Sequence, residues 1–467
     1  MLIKELKDDD RSFDSITSST LRSSTQYSIT IKEKQEQILK IVERVNFLIN
    51  AASNTLDCSG VQNLVRNLEN NPFELIDCKD SFANLVTFTT NCLNMDQNPE
   101  ILQNCLDIFL YLLGNLDLFG EIWYLLEIPD KLQQYASYPD ANLQFITSSI
   151  FLDLSSDPKL TEEECNSLTQ NFIQISIQWA LNHSIFKCRE NCLQFLGNIF
   201  QSEYSLPEEL INQIIQVSLS IISQNNTELL ESGCYSLLYC LKSLDFEDTS
   251  YLHDICNQYW RVISEYAREG EKFVLEKDSA SLASFFVEKI EITSEFVSII
   301  NYNLLFNTIT NKSDEFVASI CGLIIMNTIC EKYEDVQSLI NDLLIDGLMN
   351  ILSVLYTGQV RSKLIAMGIF KNLIFLADVN CQIVAATDIF MESVIDFIHD
   401  FDGEMAKTML TMILKFFINI QGHELFGSIV DHYSEHGWID KFVEFVEEDT
   451  EELAETAEEI LSAIGYE

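Results

Sequence analysis

Short apolar runs that end in asparagine return along this chain at a near-constant interval, which is hard to reconcile with a single globular core. Tyr111-Leu112-Leu113-Gly114-Asn115 is followed by Gln194-Phe195-Leu196-Gly197-Asn198, Leu323-Ile324-Ile325-Met326-Asn327, Gly368-Ile369-Phe370-Lys371-Asn372 and Lys415-Phe416-Phe417-Ile418-Asn419. The asparagines are 83, 129, 45 and 47 residues apart. Those gaps are two, three, one and one steps of roughly 41 to 47 residues, the length of a helical repeat of two or three helices. Such a period predicts a solenoid in which each repeat stacks on the next. An asparagine at one place in every repeat makes a ladder along a groove, and each amide offers one acceptor and two donors to an extended peptide backbone. Taken singly, each asparagine also reads as an ordinary surface or cap residue.

Composition narrows the elements to helices. Gly (15) and Pro (6) are scarce in 467 residues, and all six prolines lie at or before Pro207. The 260 residues beyond it carry no proline breaker and little strand-like alternation, which argues for an all-helical chain. Apolar residues make up 47% and charged ones 21%, enough to bury a long core.

The charge is lopsided, with 28 basic against 72 acidic residues and a formal net charge of −44. A chain of that sign repels phosphate backbones and anionic lipid, so neither nucleic acid nor a membrane surface is an expected partner. A cationic partner is favoured, although acidity also serves to keep a large apolar chain in solution. Thirteen cysteines lie mostly inside apolar helical runs with no CxxC pair, and they read as small buried hydrophobes in a reducing compartment. With no secretory signal and no apolar run of about eighteen residues, the expected location is the cytoplasm and nucleus.

Residues 1–30 are Ser/Thr-rich and aperiodic and are expected to form a disordered arm, with the solenoid running over 31–467. From Ile31 to about Ala52 the apolar residues recur at helical spacing. Short helices then alternate with polar breaks: Asn71-Pro72-Phe73-Glu74-Leu75-Ile76, Asn84-Leu85-Val86-Thr87-Phe88, and the helix that runs into Asn115. Thr161-Glu162-Glu163-Glu164 is a capping box, and Pro207-Glu208-Glu209 opens another helix with acids at its positive end. Gly233 to Leu241 fills one slot of the period without an asparagine, and the helix around Ser281 to Ile292 fits the period but not the pattern. Gly437-Trp438-Ile439-Asp440 leads into a run from Glu444 to Glu459 with nine acids and no base, as suits the polar outer face of a closing repeat.

These segments resemble the armadillo array of importin alpha, the adaptor that carries nuclear-localisation signals. Asn71 to Ile76 is similar to that family's first-repeat Asn-Pro-Pro segment, and Asn84 to Phe88 to its Phe-Val-x-Phe helix. Tyr111 to Asn115 lies where the family carries Trp-Ala-Leu-x-Asn, and the stretch from Gly437 to Leu461 resembles its closing repeat. The resemblance implies an armadillo/HEAT-type right-handed superhelix of about nine or ten three-helix repeats. It also implies a peptide-binding site formed by Tyr111, Asn115, Asn198, Asn327, Asn372 and Asn419, with basic segments of cargo proteins as partners.

Two features depart from the family. Its tryptophan positions read Tyr111, Ser149, Gln194, Leu323, Gly368 and Lys415, so only Tyr111 keeps an aromatic wall for a lysine stem. The dense basic segment that binds importin beta has no counterpart, because Lys4, Lys7, Arg11, Arg22, Lys32, Lys34, Lys40 and Arg44 are interleaved with acids.

The chain carries no P-loop, GxGxxG or GxSxG, and no enzymatic activity, cofactor or metal is expected. His432 and His436 share a helix face with His423 nearby, but Tyr-Ser-Glu between them is not the HExxH arrangement, and they read as polar helix-end histidines. Cys188 and Cys192 read as core residues, and Trp123, Trp179 and Trp260 as core or capping aromatics. The leading expectation is a nuclear-import adaptor. The alternative is a divergent armadillo scaffold that binds other proteins without a transport role, and the discriminator is whether acids gather beside the asparagines or spread over the whole surface.

Overall fold

Helical spacing of apolar residues with almost no breakers leaves the chain one way to satisfy its backbone, and the described residues are helices joined by short turns, with no strand among them. The structure, a computed structural model, describes residues 99–113, 128–156, 162–201, 206–224, 226–244, 250–269, 273–310, 316–333, 360–376, 378–400, 403–448 and 451–466, with isolated positions at 339, 351, 353 and 354. The chain divides into two units, Met1–Phe119 and Gly120–Glu467. The expected arm over 1–30, the helix from Ile31, the Asn71–Ile76 and Asn84–Phe88 motifs, and Asn115 lie outside the described residues.

The first unit contributes α1 (Pro99–Leu113). The second contributes α2 (Ile128–Ala136), α3 (Ala141–Ser155), α4 (Glu162–Asn182), α5 (Phe186–Ile199), α6 (Glu208–Ile222), α7 (Thr227–Lys242), α8 (Ser250–Glu269) and α9 (Lys277–Lys289). There follow α10 (Ser294–Ile299), α11 (Tyr302–Thr310), α12 (Phe316–Lys332), α13 (Val360–Leu376) and α14 (Val379–Ala385). The last repeats are built from α15 (Asp388–Asp400), α16 (Gly403–Ile420), α17 (Phe426–Glu435), α18 (Trp438–Glu448) and α19 (Glu451–Ala463).

In the second unit the last helix of each repeat packs on the last helix of the next, giving one continuous row: α3, α5, α7, α9, α12, α13, α16, α19. These helices end at Ser155, Ile199, Lys242, Lys289, Lys332, Leu376, Ile420 and Ala463, steps of 43 to 47 residues. The period read from the asparagines is therefore the period of the stack. The helices before them form a second row, in which α2 meets α4, α4 meets α6, α6 meets α8 and α15 meets α18. This is an all-helical armadillo-like repeat solenoid, as expected from the sequence. The helix expected around Ser281 is α9, which begins four residues earlier and takes its regular place in the row despite lacking the asparagine pattern.

The core lies between the two rows. Phe151 of α3 stands 6.2 Å from Phe195 of α5, and Phe370, Phe390, Phe416, Phe417 and Tyr433 form a chain of rings through the later repeats. Each such ring is almost fully buried, and truncating a buried Phe to Ala costs about 3–5 kcal/mol. Gly322 lets α12 approach α11 closely, since a Cβ there would fall 2.9 Å from Ile309 Cγ1. Gly437, at φ +74°, turns the chain between α17 and α18 in a conformation that other residues rarely adopt. Among the described residues no helix is long and apolar enough to cross a membrane.

Helix ends are satisfied by side chains of neighbouring helices, within a repeat and between repeats. Gln144 donates to the carbonyls of Ala136 and Tyr138 at the end of α2, Arg189 Nε to Ala180 O at the end of α4, and Lys332 Nζ to Val287 O and Glu288 O at the end of α9. At the other end of α9, the Glu231 carboxylate on α7 accepts from the backbone N–H of Asp278 at 2.7 Å and of Ser279 at 3.2 Å. Burial outweighs these hydrogen bonds and raises the Glu231 carboxyl from 4.5 to about 7. Below pH 4.5 the group is protonated in both folded and unfolded chains. As the pH climbs toward 7 the unfolded chain ionises first, so stability falls with rising pH and the loss is complete above about 7. Its full size is about 3 kcal/mol. Urea unfolding followed from pH 4.5 to 8 is expected to show this decline in the wild type and a flatter profile in Glu231→Gln.

Candidate functional site

Asn198, Asn327 and Asn372 are tied into seams between repeats, and Asn419 is tied to another helix of its own repeat. On α5, Asn198 Nδ2 donates to Ser155 Oγ and Ser156 Oγ of the preceding repeat, both at 3.0 Å, and its Oδ1 accepts from Tyr235 OH of the following repeat at 2.5 Å. Two turns earlier, Asn191 Nδ2 repeats the arrangement with Ser148 Oγ at 3.2 Å and Ser149 Oγ at 2.9 Å. Asn and Ser pairs seven residues apart thus lie along one stripe of each helix and lock α3 against α5. Gln201 donates to the Tyr235 hydroxyl, so that oxygen serves two amides. Gly197 makes this possible: a Cβ there would fall 2.5 Å from the Tyr235 ring.

A second amide group lies further along the row. Asn372 Nδ2 on α13 donates to Asn327 Oδ1 on α12 at 3.4 Å, and Asn327 Nδ2 donates to Glu331 Oε1 at 3.0 Å. Gly368 leaves the space, since a Cβ there would be 3.2 Å from Asn327 Oδ1. Asn419 Nδ2 on α16 donates to Gln382 Oε1 of α14 at 3.1 Å. Asn198 and Asn419 sit one residue before the end of their helices, whereas Asn327 and Asn372 sit five and four before. All four asparagines lie on helices of the row. Of the remaining expected site residues, Tyr111 lies in the last turn of α1, in the first unit.

What the row leaves open to solvent is mostly polar and charged, with a few apolar and aromatic side chains set among those groups. Tyr235 and Tyr239 of α7 are half-buried one turn apart with ring centroids 4.7 Å from each other, and Lys242 Nζ lies 5.3 Å from the Tyr239 centroid. Phe375 and Leu376 at the end of α13 keep 41% and 39% of their surface, and Ile418 of α16 keeps 49%. Lys371 beside Asn372 is exposed, and Lys415 one turn before Asn419 is half-buried. Exposed acids stand on both rows, with Glu228 on α7 and Glu455 on α19 in one and Glu209, Asp254, Glu392 and Asp440 in the other. Among the described residues exposed acids occur on both rows; Asn372 and Asn419 have a lysine nearby, whereas Asn327 is hydrogen-bonded to Glu331.

Tyr235 and Tyr239 are not among the residues expected to form the site. They fall 41 residues after Gln194 and Asn198, and that spacing was the available signal, hidden because the slot lacks an asparagine. Cys188 and Cys192 are buried in α5, and Trp260 is fully buried on α8. The Cys192 thiol is pushed up by burial, which leaves it a poor nucleophile.

No protein-family model and no curated protein matches the sequence, so neither comparison connects the chain with importin alpha. Solved structures do match in fold. The structure of an engineered protein superposes with a TM-score of 0.60 at 13% identity, over 90% of this chain and 98% of its own. A chain from a structure concerned with a phosphorylation switch in the interaction between cadherin and beta-catenin gives 0.52 at 10% identity, over 80% of this chain and 68% of its own. At these identities the likeness establishes the fold alone, an armadillo-like repeat array.

Asn198→Ala removes three side-chain hydrogen bonds from a buried seam and is expected to destabilise the chain by about 2–4 kcal/mol. Gly197→Ala, which forces the Tyr235 ring off its seat, is expected to cost about 1–3 kcal/mol. Urea titrations read both, and a change under 0.5 kcal/mol in either would contradict the seam as described.

Proposed function

We propose that this chain is a non-enzymatic interaction scaffold that holds an extended segment of a partner protein along the row of last helices, in the cytoplasm or nucleus. The observation that carries the reading is the set of exposed apolar side chains Phe375, Leu376 and Ile418 beside Lys371 and Lys415 on consecutive helices of the row. Large apolar groups left in solvent at the seam of a stacked array are anchors for an incoming chain. The amides around them can then pair with its backbone. The flanking lysines favour a segment with acidic residues next to its apolar ones. The chain's overall negative charge does not forbid this, because at physiological salt charges more than about 8 Å away are largely screened while a contacting lysine is not. The cysteines whose side chains are described are all buried, in keeping with a reducing compartment.

The import-adaptor reading draws its support from the net charge of −44 and from the positions of Asn372 and Asn419 on the row. On that reading the asparagines hold the backbone of a basic cargo segment, and importin beta would have to be recruited without a basic arm. One titration separates the two. Fluorescence anisotropy is measured with a lysine-rich nuclear-localisation peptide and with an acidic peptide carrying aromatic and aliphatic residues, at low and physiological salt. The scaffold reading expects the acidic, apolar peptide to bind saturably at physiological salt, with at least about a tenfold loss in a Phe375→Ala, Ile418→Ala double variant, equivalent to about 1.4 kcal/mol. Saturable binding of the lysine-rich peptide that Asn372→Ala and Asn419→Ala weaken would instead favour the adaptor.

A further inference from the structure

Away from the open row, the fold brings Asp388, His432 and His436 together across 44 residues of sequence. Asp388 is the first residue of α15, His432 lies in the last turn of α17, and His436 follows that helix immediately before Gly437. Each offers one ligand atom, and the three atoms lie within 4.8 Å of one another. His432 Nε2 is 2.6 Å from Asp388 Oδ1. His436 Nδ1 is 2.9 Å from the His432 carbonyl, which can only accept, so that nitrogen carries the proton and the lone pair of His436 is left on Nε2. A backbone carbonyl that fixes the tautomer in this way is the outer support usual for a metal-binding histidine. The ring is held further by Trp438, whose centroid is 5.1 Å away in a stacked arrangement.

We propose that Asp388, His432 and His436 form a binding site for a divalent transition-metal ion of the Zn2+ type. Two imidazoles and one carboxylate suit that class and not Mg2+ or Ca2+, which take oxygen ligands only. Tetrahedral coordination, with bonds of about 2.0–2.2 Å, sets its ligand atoms about 3.3 Å apart. The Asp388–His432 pair opens slightly and His436 closes in, an adjustment that half-buried and exposed side chains make readily. To bind the ion, His432 Nε2 must present its lone pair, so the ring takes the tautomer with its proton on Nδ1 and gives up the hydrogen bond to Asp388. Three protein ligands leave a fourth position for water or a partner's side chain. Because Asp388 belongs to one repeat and the histidines to the next, a bound ion clamps the closing repeat onto the repeat before it.

The test is isothermal titration of Zn2+ into the full chain with excess Mg2+ present to occupy unspecific carboxylates. A parallel titration with Co2+ reads tetrahedral ligand-field absorption in the visible and quenching of Trp438. Expected are a saturable event of one ion per chain, a higher Tm in Zn2+, and weakening of at least about tenfold in Asp388→Asn, His432→Ala and His436→Gln. His423→Ala, a neighbouring histidine outside the cluster, leaves the affinity unchanged, and Trp438→Phe loses the quenching while the ion still binds. Circular dichroism establishes that the variants are folded, which is expected because the Asp388–His432 pair is exposed and contributes little to stability. Uptake that does not saturate under Mg2+, or equal affinity in wild type, Asp388→Asn and His436→Gln, overturns the proposal.

Discussion

Everything in the described solenoid depends on the contact between one repeat's last helix and the next. A two- or three-helix repeat of some 44 residues cannot bury its own apolar faces, and the row supplies the missing partner at every step. Apolar packing is permissive about where a helix slides, since one aliphatic contact is much like another. The polar groups in the seams are not. Asn198 takes two serine hydroxyls on one side and a tyrosine on the other, and Glu231 and Lys332 cap the two ends of α9 from neighbouring repeats. Displacement by one residue would orphan buried donors and acceptors, so register is set by hydrogen bonds and strength by apolar area.

The repeat was legible because a stack has to return to the same face at the same interval, and five asparagine turns are enough to betray that interval. Four of the five lie on helices of the row, and the fifth, Asn115, lies outside the described residues. The distances of the four from their helix ends differ, one residue for Asn198 and five for Asn327, and a local sequence pattern does not show where a helix stops. The roles of the amides were hidden for a related reason. Asn198 is turned inward by Ser155, Ser156 and Tyr235, residues whose proximity arises only when three repeats are stacked. Tyr235 and Tyr239 carry the same period but no asparagine marks their helix, so the pattern of amides does not point to them. Asp388 lies 44 residues from His432, one full repeat away, and a reading confined to local spacing cannot pair them.

The fold also explains the kind of surface the chain presents. A solenoid has no single enclosing pocket, and its open face is the sum of short patches contributed by successive helices. In this chain the patches differ in kind: aromatic and cationic on α7, amide and carboxylate on α12, apolar and cationic on α13 and α16. Net charge is a poor guide to such a surface, because the lysines beside Asn372 and Asn419 act at contact distance while most of the acids are screened.

The seams are also unlike one another. The α3–α5 seam is written in amides against hydroxyls, the α12–α13 seam in amide against amide, and the α7–α9 seam in carboxylate against a helix end. Any repeat could be cut out without disturbing the period, yet the two faces thus brought together would not complement each other. The order of the repeats is therefore encoded in polar pairing, and the array behaves as a word whose letters cannot be exchanged, although each letter has nearly the same length.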